Sequence, residues 1–140
     1  VAIHHIARRR FNGGQPVIPS IVFTDPEVAY CGLTERQAQK DNIKIKISKF
    51  PWAANGRAVT LNRTDGLTKL IFNARGNKLL GAGIVGAEAG ELIAQAVLLI
   101  NASGGTEEIS SSVYPHPTLS ETLKECLDLS LGKSFYPVRK

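Results

Sequence analysis

The sequence predicts an α+β fold, in which an antiparallel β-sheet of about five strands carries helices on one face. Strand-like segments dominate the first part of the chain, and two of them are joined by a short turn of the kind found in hairpins. The strongest helical patterns follow the last strand. Strands that precede helices are typical of α+β domains, and hairpin connections are typical of antiparallel sheets.

Length and composition are those of one ordinary globular domain. The chain has 140 residues, of which 43% are apolar and 21% are charged. No apolar run reaches the roughly 20 residues that span a bilayer. Much of the net charge of +5 lies near the two ends, without a groove-reading element or an aromatic platform beside it, so we interpret it as solvated charge. We therefore expect neither a membrane nor a nucleic-acid partner.

The two cysteines, Cys31 and Cys126, form no close-spaced pair, so they predict neither a redox motif nor a metal site. Both are predicted to be buried, unreactive thiols. Such sparse cysteine use is typical of a reducing compartment, either the cytoplasm or the mitochondrial matrix of a eukaryote. Because the chain begins at Val1 and contains no methionine, we expect it to be a processed or excised piece.

The amino-terminal half begins with a basic helical pattern over residues 1–11, which glycines and Pro16 then break. We interpret residues 1–17 as a linker or as the remnant of a preceding domain. Residues 17–23 and 28–31 are predicted strands. A capping box at residues 34–37 predicts a helix that ends near residue 41.

The next segments predict three strands and a loop. Over residues 43–48, isoleucine alternates with lysine or serine, which predicts a strand whose isoleucines are buried and whose lysines face water. Residues 50–58 are predicted to be a loop anchored by two aromatic side chains. Residues 67–72 and 79–85 are predicted strands, and the turn between them makes a hairpin.

Three helices are predicted after the last strand. The strongest covers residues 88–103 and ends at Gly104-Gly105, and a short helix capped by Thr106 follows it. A second capping box, Thr118-x-x-Glu121, predicts a last helix that runs to about residue 131. The apolar stripe of the first helix is Leu92, Ile93, Ala96, Val97 and Ile100, and that of the last is Leu119, Leu123, Cys126 and Leu127.

The segment Gly81–Gly86 matches the dinucleotide-binding pattern G-x-G-x-x-G, and Glu107 follows at the spacing of a ribose-binding acid. The context is poor, because only two strand-like residues precede the first glycine and no second parallel strand follows the helix. We favour a strand whose glycines let the following helix pack closely. A free-standing nucleotide-binding domain is the alternative.

The candidate chemistry lies at His116, which stands between Pro115 and Pro117 on backbone that the two prolines restrict. Glu121 could reach back to one ring nitrogen, fix the tautomer and leave the other nitrogen to move protons. Spacing alone favours a simpler interpretation, in which Glu121 only caps the helix and His116 bonds a neighbouring carbonyl. The adjacent histidines His4 and His5 have no plausible partners and are assigned no role.

A set of landmarks runs in order along most of the chain. They are residues 18–20, 24–29, 32–35, 50–58, 65–71, 81–86, 91–93 and 116–121. In these landmarks the chain resembles the C-terminal interface domain of the pyridine-nucleotide disulfide oxidoreductases, a family of FAD-containing dimers. The loop at residues 50–58 is most similar to that of the dihydrolipoamide dehydrogenases.

The resemblance implies that residues 18–140 form a dimerisation domain, whose His116–Glu121 dyad enters the active site of the other subunit of a homodimer. His116 would be the general base for a dihydrolipoamide thiol, whose ordinary pKa of about 8.5 leaves little thiolate at neutral pH. The thiolate would attack the partner's redox disulfide, and electrons would pass to FAD and then NAD. Glu121 would orient His116, and the backbone of His116 and Pro117 would lie against the partner's FAD.

Two observations limit this resemblance. Tyr114 stands where dihydrolipoamide dehydrogenases commonly have a histidine, which leaves a glutathione-reductase-like or mercuric-reductase-like relative as an alternative. The chain also lacks the family's paired redox cysteines and its FAD and NAD domains, so we expect no cofactor on this fragment and no activity from it alone. A non-catalytic dimerisation module is the remaining alternative. We expect residues 113–131 to form the interface, with a contribution from the helix at 88–103.

Overall fold

The computed structural model describes residue 7, residues 16–102 and residues 105–135. Most of the predicted linker at residues 1–17 therefore lies outside the described residues. The strands are β1 (Ser20–Val22), β2 (Glu27–Gly32), β3 (Ile45–Pro51), β4 (Leu67–Asn73) and β5 (Leu79–Gly86). The helices are α1 (Glu35–Lys40), α2 (Gly56–Thr60), α3 (Ala89–Asn101), α4 (Thr106–Ser110) and α5 (Glu121–Leu131), with a 3₁₀ turn at Trp52–Ala54.

The strands form one five-stranded sheet in the order β1-β2-β5-β4-β3, and every neighbouring pair is antiparallel. The predicted hairpin is β4 and β5, joined by the turn between Asn73 and Leu79. Helix α3 packs against β2 and β5, while α5 packs against β3 and β4, and both contribute to the same buried core. The predicted α+β class is therefore confirmed, and within the described residues no helix is long and apolar enough to cross a membrane.

Strand β3 is present, but the predicted burial of its two faces is wrong. Ser48 and Phe50 point into the core, whereas Ile47 lies on the opposite face with 38% of its surface exposed. The amino group of Lys46 donates to the carbonyl of Ser130 in α5, so even a lysine of the predicted wet face turns towards the helices. Side chains along a strand alternate between the two faces of the sheet. Because Phe50 is buried in the core, the odd-numbered residues of β3, including the isoleucines, lie on the opposite face.

The predicted loop at residues 50–58 is more regular than expected. It contains the end of β3, the 3₁₀ turn and the start of α2, which Asn55 caps by accepting a hydrogen bond from Ala58 N at 2.9 Å. Its two aromatic anchors, Phe50 and Trp52, are both fully buried, as predicted. The loop is therefore a fixed part of the core.

The helices follow the predicted stripes with shifted starts. Leu92, Ile93 and Ala96 of α3 are buried, and Val97 and Ile100 pack against the core. The predicted core residues of the last helix are buried as well, but α5 begins at Glu121, two residues after the first helical position that the predicted capping box implies. Similarly, Thr106 is the first residue of α4 and not its cap, since its hydroxyl donates to the carbonyl of Gly76.

The glycine pattern Gly81–Gly86 lies inside β5, where it is paired on both sides, and not in a turn before a helix. A Cβ atom on Gly81 would lie 2.0 Å from the carbonyl oxygen of Leu33, and one on Gly86 would lie 2.4 Å from the ring of Trp52. The glycines thus allow close packing, as predicted, but against a neighbouring backbone and an indole ring rather than against the following helix.

Candidate active site

The segment between α4 and α5 presents His116 at the surface. Its backbone is irregular and contains Pro115 and Pro117, and the His116–Pro117 peptide bond is cis. The imidazole side chain is 76% exposed, whereas the side chain of Glu121 at the start of α5 is only 19% exposed. The exposed imidazole of His116 is therefore next to a largely buried carboxylate, that of Glu121.

The two side chains form a hydrogen-bonded pair. The Nδ1 atom of His116 lies 2.8 Å from Oε1 of Glu121, and the second carboxylate oxygen, Oε2, accepts a hydrogen bond from the backbone N–H of Thr118 at 2.7 Å. An ionised carboxylate can only accept, so Nδ1 carries the proton of the neutral ring and Nε2 keeps its lone pair. The arrangement leaves Nε2 as the nitrogen that can take a proton from another molecule.

The simpler interpretation from spacing is therefore only half correct. Glu121 does cap backbone, through Thr118, but its other oxygen binds His116, which was expected to bond a carbonyl. The hydroxyl of Thr118 does not cap the helix, because it donates to the carbonyl of Pro115 at 2.8 Å and lies 2.9 Å from the hydroxyl of Ser120. One carboxylate thus serves both the backbone and the imidazole.

Residues that the sequence did not single out hold this segment on the sheet. The side-chain amide of Asn55 donates to the carbonyl of Thr118 at 3.1 Å. One residue after Glu121, the hydroxyl of Thr122 lies 3.0 Å from that of Thr68 in β4, which also accepts from the indole N–H of Trp52 at 2.9 Å. The sequence pattern predicted only a loop at residues 50–58; an asparagine there could have signalled a helix cap, but no local pattern signals its contact to residue 118.

Tyr114 is the residue that departs from the pattern of the resembled family, and it is half-buried. Burial raises the pKa of its phenol, and the charge of Asp128 adds to that effect. The phenol is therefore neutral at physiological pH and is not an alternative base to His116.

Both cysteines are free and buried, as predicted. Burial raises the pKa of Cys31 to about 11 and that of Cys126 to about 12. Thiols with such pKa values contain almost no thiolate at neutral pH, and thiolate is the nucleophilic form. The chain has no other cysteine, so it offers His116 no reactive sulfur of its own.

Comparison with known proteins places this chain in a family. Residues 18–127 match the pyridine nucleotide-disulphide oxidoreductase dimerisation domain. The dihydrolipoyl dehydrogenase of Buchnera aphidicola subsp. Schizaphis graminum is 45% identical over 133 residues, which cover 91% of this chain and 28% of that protein. The chain thus spans about a quarter of the length of this relative.

Two solved structures are similar to the fold. The HOCl-induced flavoprotein disulfide reductase RclA from Escherichia coli has a TM-score of 0.76 and 28% identity, over 82% of this chain and 26% of that chain. LpdA from Mycobacterium tuberculosis has a TM-score of 0.80, covers 91% of this chain and 28% of that chain, and at 20% identity supports the fold alone. Since the family match covers most of the chain, this protein belongs to the pyridine nucleotide-disulphide oxidoreductase dimerisation domains.

Proposed function

We propose that this chain is the C-terminal dimerisation domain of a dihydrolipoyl dehydrogenase-like flavoprotein, and that His116 is its general acid/base. The observation that carries the proposal is the pair formed by His116 Nδ1 and Glu121 Oε1 at 2.8 Å, beneath an imidazole that is 76% exposed. The carboxylate orients the ring, and the exposure of the ring leaves it accessible to another molecule.

The proposed reaction step is a proton transfer followed by thiol–disulfide exchange. His116 Nε2 removes the proton of a dithiol substrate, and the carboxylate of Glu121 stabilises the imidazolium that forms. The substrate thiolate then attacks one sulfur of a disulfide, so that a mixed disulfide forms and the other sulfur leaves as a thiolate. With an ordinary thiol pKa of about 8.5, little thiolate would be present at neutral pH without this base.

The disulfide must come from another polypeptide segment. Cys31 and Cys126 are the only cysteines of the chain, and both are buried in the core away from solvent. We propose that a second subunit supplies the disulfide, which makes the functional unit a homodimer in which each domain completes the site of its partner. The isolated chain would therefore be inactive.

FAD and NAD would likewise be held by other domains of the parent protein. Within the described residues, the stretch that matches a dinucleotide-binding pattern is filled by its own chain, since Leu33 and Trp52 occupy the space beside Gly81 and Gly86. Those glycines cannot cradle a phosphate, and no step of the proposed mechanism assigned to this chain passes through a cofactor. His116 and Pro117 are both exposed, which is compatible with a flavin that the partner binds.

Two observations leave a substrate other than dihydrolipoamide as an alternative. Tyr114 occupies the position at which dihydrolipoamide dehydrogenases commonly have histidine. RclA, which is 28% identical to this chain, is described as a flavoprotein disulfide reductase and not as a dihydrolipoyl dehydrogenase. The proposed dyad chemistry is the same for any thiol–disulfide pair. The similarity to dihydrolipoyl dehydrogenases at 45% identity favours a dihydrolipoamide-type dithiol.

A chimaera tests the proposal. Residues 18–140 replace the matching C-terminal segment of the Buchnera dihydrolipoyl dehydrogenase, and FAD content, dimer mass and lipoamide turnover are measured. We expect a flavin-loaded, active dimer in which His116→Ala lowers turnover on the order of 10²- to 10⁴-fold, the usual effect of losing a general base. A flavin-loaded dimer in which the His116→Ala variant turns over as fast as the unmutated chimaera would refute the catalytic role. A chimaera that binds FAD and dimerises, but has no activity even with His116, would support the non-catalytic module.

A further inference from the structure

Asn55 is 4% exposed, and its side chain makes hydrogen bonds through both its oxygen and its nitrogen. Its oxygen, Oδ1, accepts from the backbone N–H of Ala58 at 2.9 Å and so caps α2. Its nitrogen, Nδ2, donates to the carbonyl of Thr118 at 3.1 Å, across 63 positions of sequence. The first contact explains why a cap-forming residue stands here, and the second requires a different explanation.

Capping alone does not select asparagine. Serine, threonine and aspartate cap helices about as well, because a cap needs only a side-chain oxygen that accepts. Among these residues asparagine alone can donate two N–H bonds while its oxygen accepts. The donor directed at Thr118 is therefore the feature that distinguishes Asn55 from a simple cap.

The backbone that Asn55 holds is the backbone that fixes the dyad. The N–H of Thr118 donates to Glu121 Oε2 at 2.7 Å, and Glu121 Oε1 contacts His116 Nδ1 at 2.8 Å. Thr118 is thus tethered at its carbonyl by Asn55 and at its N–H by Glu121. A loose Thr118 would let the carboxylate rotate away from the imidazole.

The packing around Asn55 also supports a role in positioning the segment before α5. Next to Asn55, a Cβ placed on Gly56 would lie 4.0 Å from the Cβ of Pro117, so the start of α2 lies directly beside the proline that follows His116. The hydrogen bonds between the sheet and α5, such as the one between Thr68 and Thr122, all lie beyond Glu121 in sequence and do not reach the residues before the helix. The hydrogen bond of Asn55, by contrast, reaches Thr118 itself.

We propose that Asn55 is a positioning residue that keeps the His116–Glu121 pair assembled, with the Nδ1–H tautomer fixed and Nε2 available. Its consequence for turnover rests on the proposed function, but its effect on the imidazole can be measured without any reaction. Two variants isolate the donor. Asn55→Ser keeps a good cap but is too short to reach Thr118, and Asn55→Asp keeps the shape and the accepting oxygen but has no N–H to donate.

The first experiment is ¹⁵N nuclear magnetic resonance of the histidine-labelled 140-residue chain at about pH 8.5, where an ordinary imidazole is neutral. The signal of His116 is assigned by its absence from His116→Ala. We expect the Nδ1–H tautomer to predominate in the wild type, and its ratio to the Nε2–H tautomer to fall at least about twofold in both Asn55 variants. Thr34→Ala, which removes the side-chain cap of a different helix, α1, is the control and should leave the ratio unchanged.

The second experiment is kinetic, in the chimaera described above. We expect Asn55→Ser to lower kcat by roughly ten- to a hundredfold with little change in KM, since misplacing a catalytic group by about 1 Å has effects of this size. A structural role alone would reduce the amount of folded enzyme without altering the tautomer ratio.

The outcomes separate the two proposals. An unchanged ratio in folded Asn55→Ser and Asn55→Asp would overturn the positioning role, whatever the kinetics. A wild type without an excess of the Nδ1–H tautomer would overturn it as well. Loss of folding in both variants would also overturn it, because Asn55 would then be required for the fold and not specifically for the dyad. If the ratio falls in the variants but His116→Ala remains fully active, Asn55 positions the pair and the proposed function is wrong.

Discussion

Two helix starts in this domain share one sequence pattern and use it in opposite ways. At α1, the hydroxyl of Thr34 accepts from the backbone N–H of Gln37 at 3.1 Å, and the Gln37 side chain turns away to Asp41. At α5, the hydroxyl of Thr118 turns away to Pro115, and the Glu121 side chain returns to the backbone N–H of Thr118. Each start forms one half of a capping box.

The difference shows what a carboxylate adds at this position. Glu121 has two accepting oxygens, so it can cap the backbone with one and hold the imidazole of His116 with the other. The side chain of Gln37 has a single oxygen and carries no charge that could stabilise an imidazolium. Two residues before each threonine, the chain has Gly32 at α1 and His116 at α5, so the same pattern yields a plain helix start in one place and a site in the other.

The largest expected effect comes from making the α5 start resemble the α1 start. In the chimaera, Glu121→Gln keeps one oxygen for capping but removes the negative charge beneath His116. We expect turnover to fall by about 10²- to 10⁴-fold, as for the loss of a carboxylate that orients a catalytic histidine. Gln37→Ala, which removes the corresponding side chain at α1, should leave turnover unchanged, and equal losses in the two variants would contradict the comparison.

A smaller effect is expected on the free energy of unfolding. Here a substitution at the start of α1 should have the larger effect, whereas for turnover the larger effect is expected at the start of α5. Thr34→Ala removes a side-chain cap and should lower the free energy of unfolding by about 1 kcal/mol. Thr118→Ala should cost less than about 0.5 kcal/mol, because its hydroxyl caps no helical N–H. Urea unfolding of the two variants at one protein concentration measures both values. A larger cost at Thr118 would show that its contacts to Pro115 and Ser120 matter more than the cap at Thr34.

The smallest expected effect concerns pH and the first-turn carboxylate of α1. A hydrogen bond from Lys69, followed by the charge of that lysine, lowers the pKa of Glu35 from its ordinary value of 4.5. The stabilisation is therefore fully present above about pH 4.5 and is lost as the pH falls through the lowered value. Because the Glu35 side chain is 44% exposed, the contribution should stay well below about 1 kcal/mol.

Glu35→Gln isolates this contribution. The variant should unfold slightly more easily than the wild type at neutral pH, and the difference should disappear in acid. A difference in the free energy of unfolding that grows as the pH falls would contradict the assignment of the Glu35–Lys69 pair.

Much of the fold was predictable because its signals are local. The hairpin of β4 and β5, the apolar stripe of α3 and the start of α1 follow from turn residues, periodicity and a capping residue, each of which acts over a few positions. The pairing of His116 with Glu121 also lies within six residues, so spacing alone could nominate it. Spacing could not decide whether the carboxylate would cap, bind the ring or do both, since that depends on the turn that brings the two together.

The sequence by itself therefore determined the types of the elements, their approximate order and the two residues of the candidate dyad. Only the tertiary structure decided that β3 buries Ser48 and Phe50 in place of its isoleucines, and that Asn55 reaches Thr118. A period-two pattern defines two faces but not which of them is covered, and the core selects the face that buries Phe50. A hydrogen bond between residues 63 positions apart exists only when packing brings α2 beside the start of α5, and no local pattern records that approach.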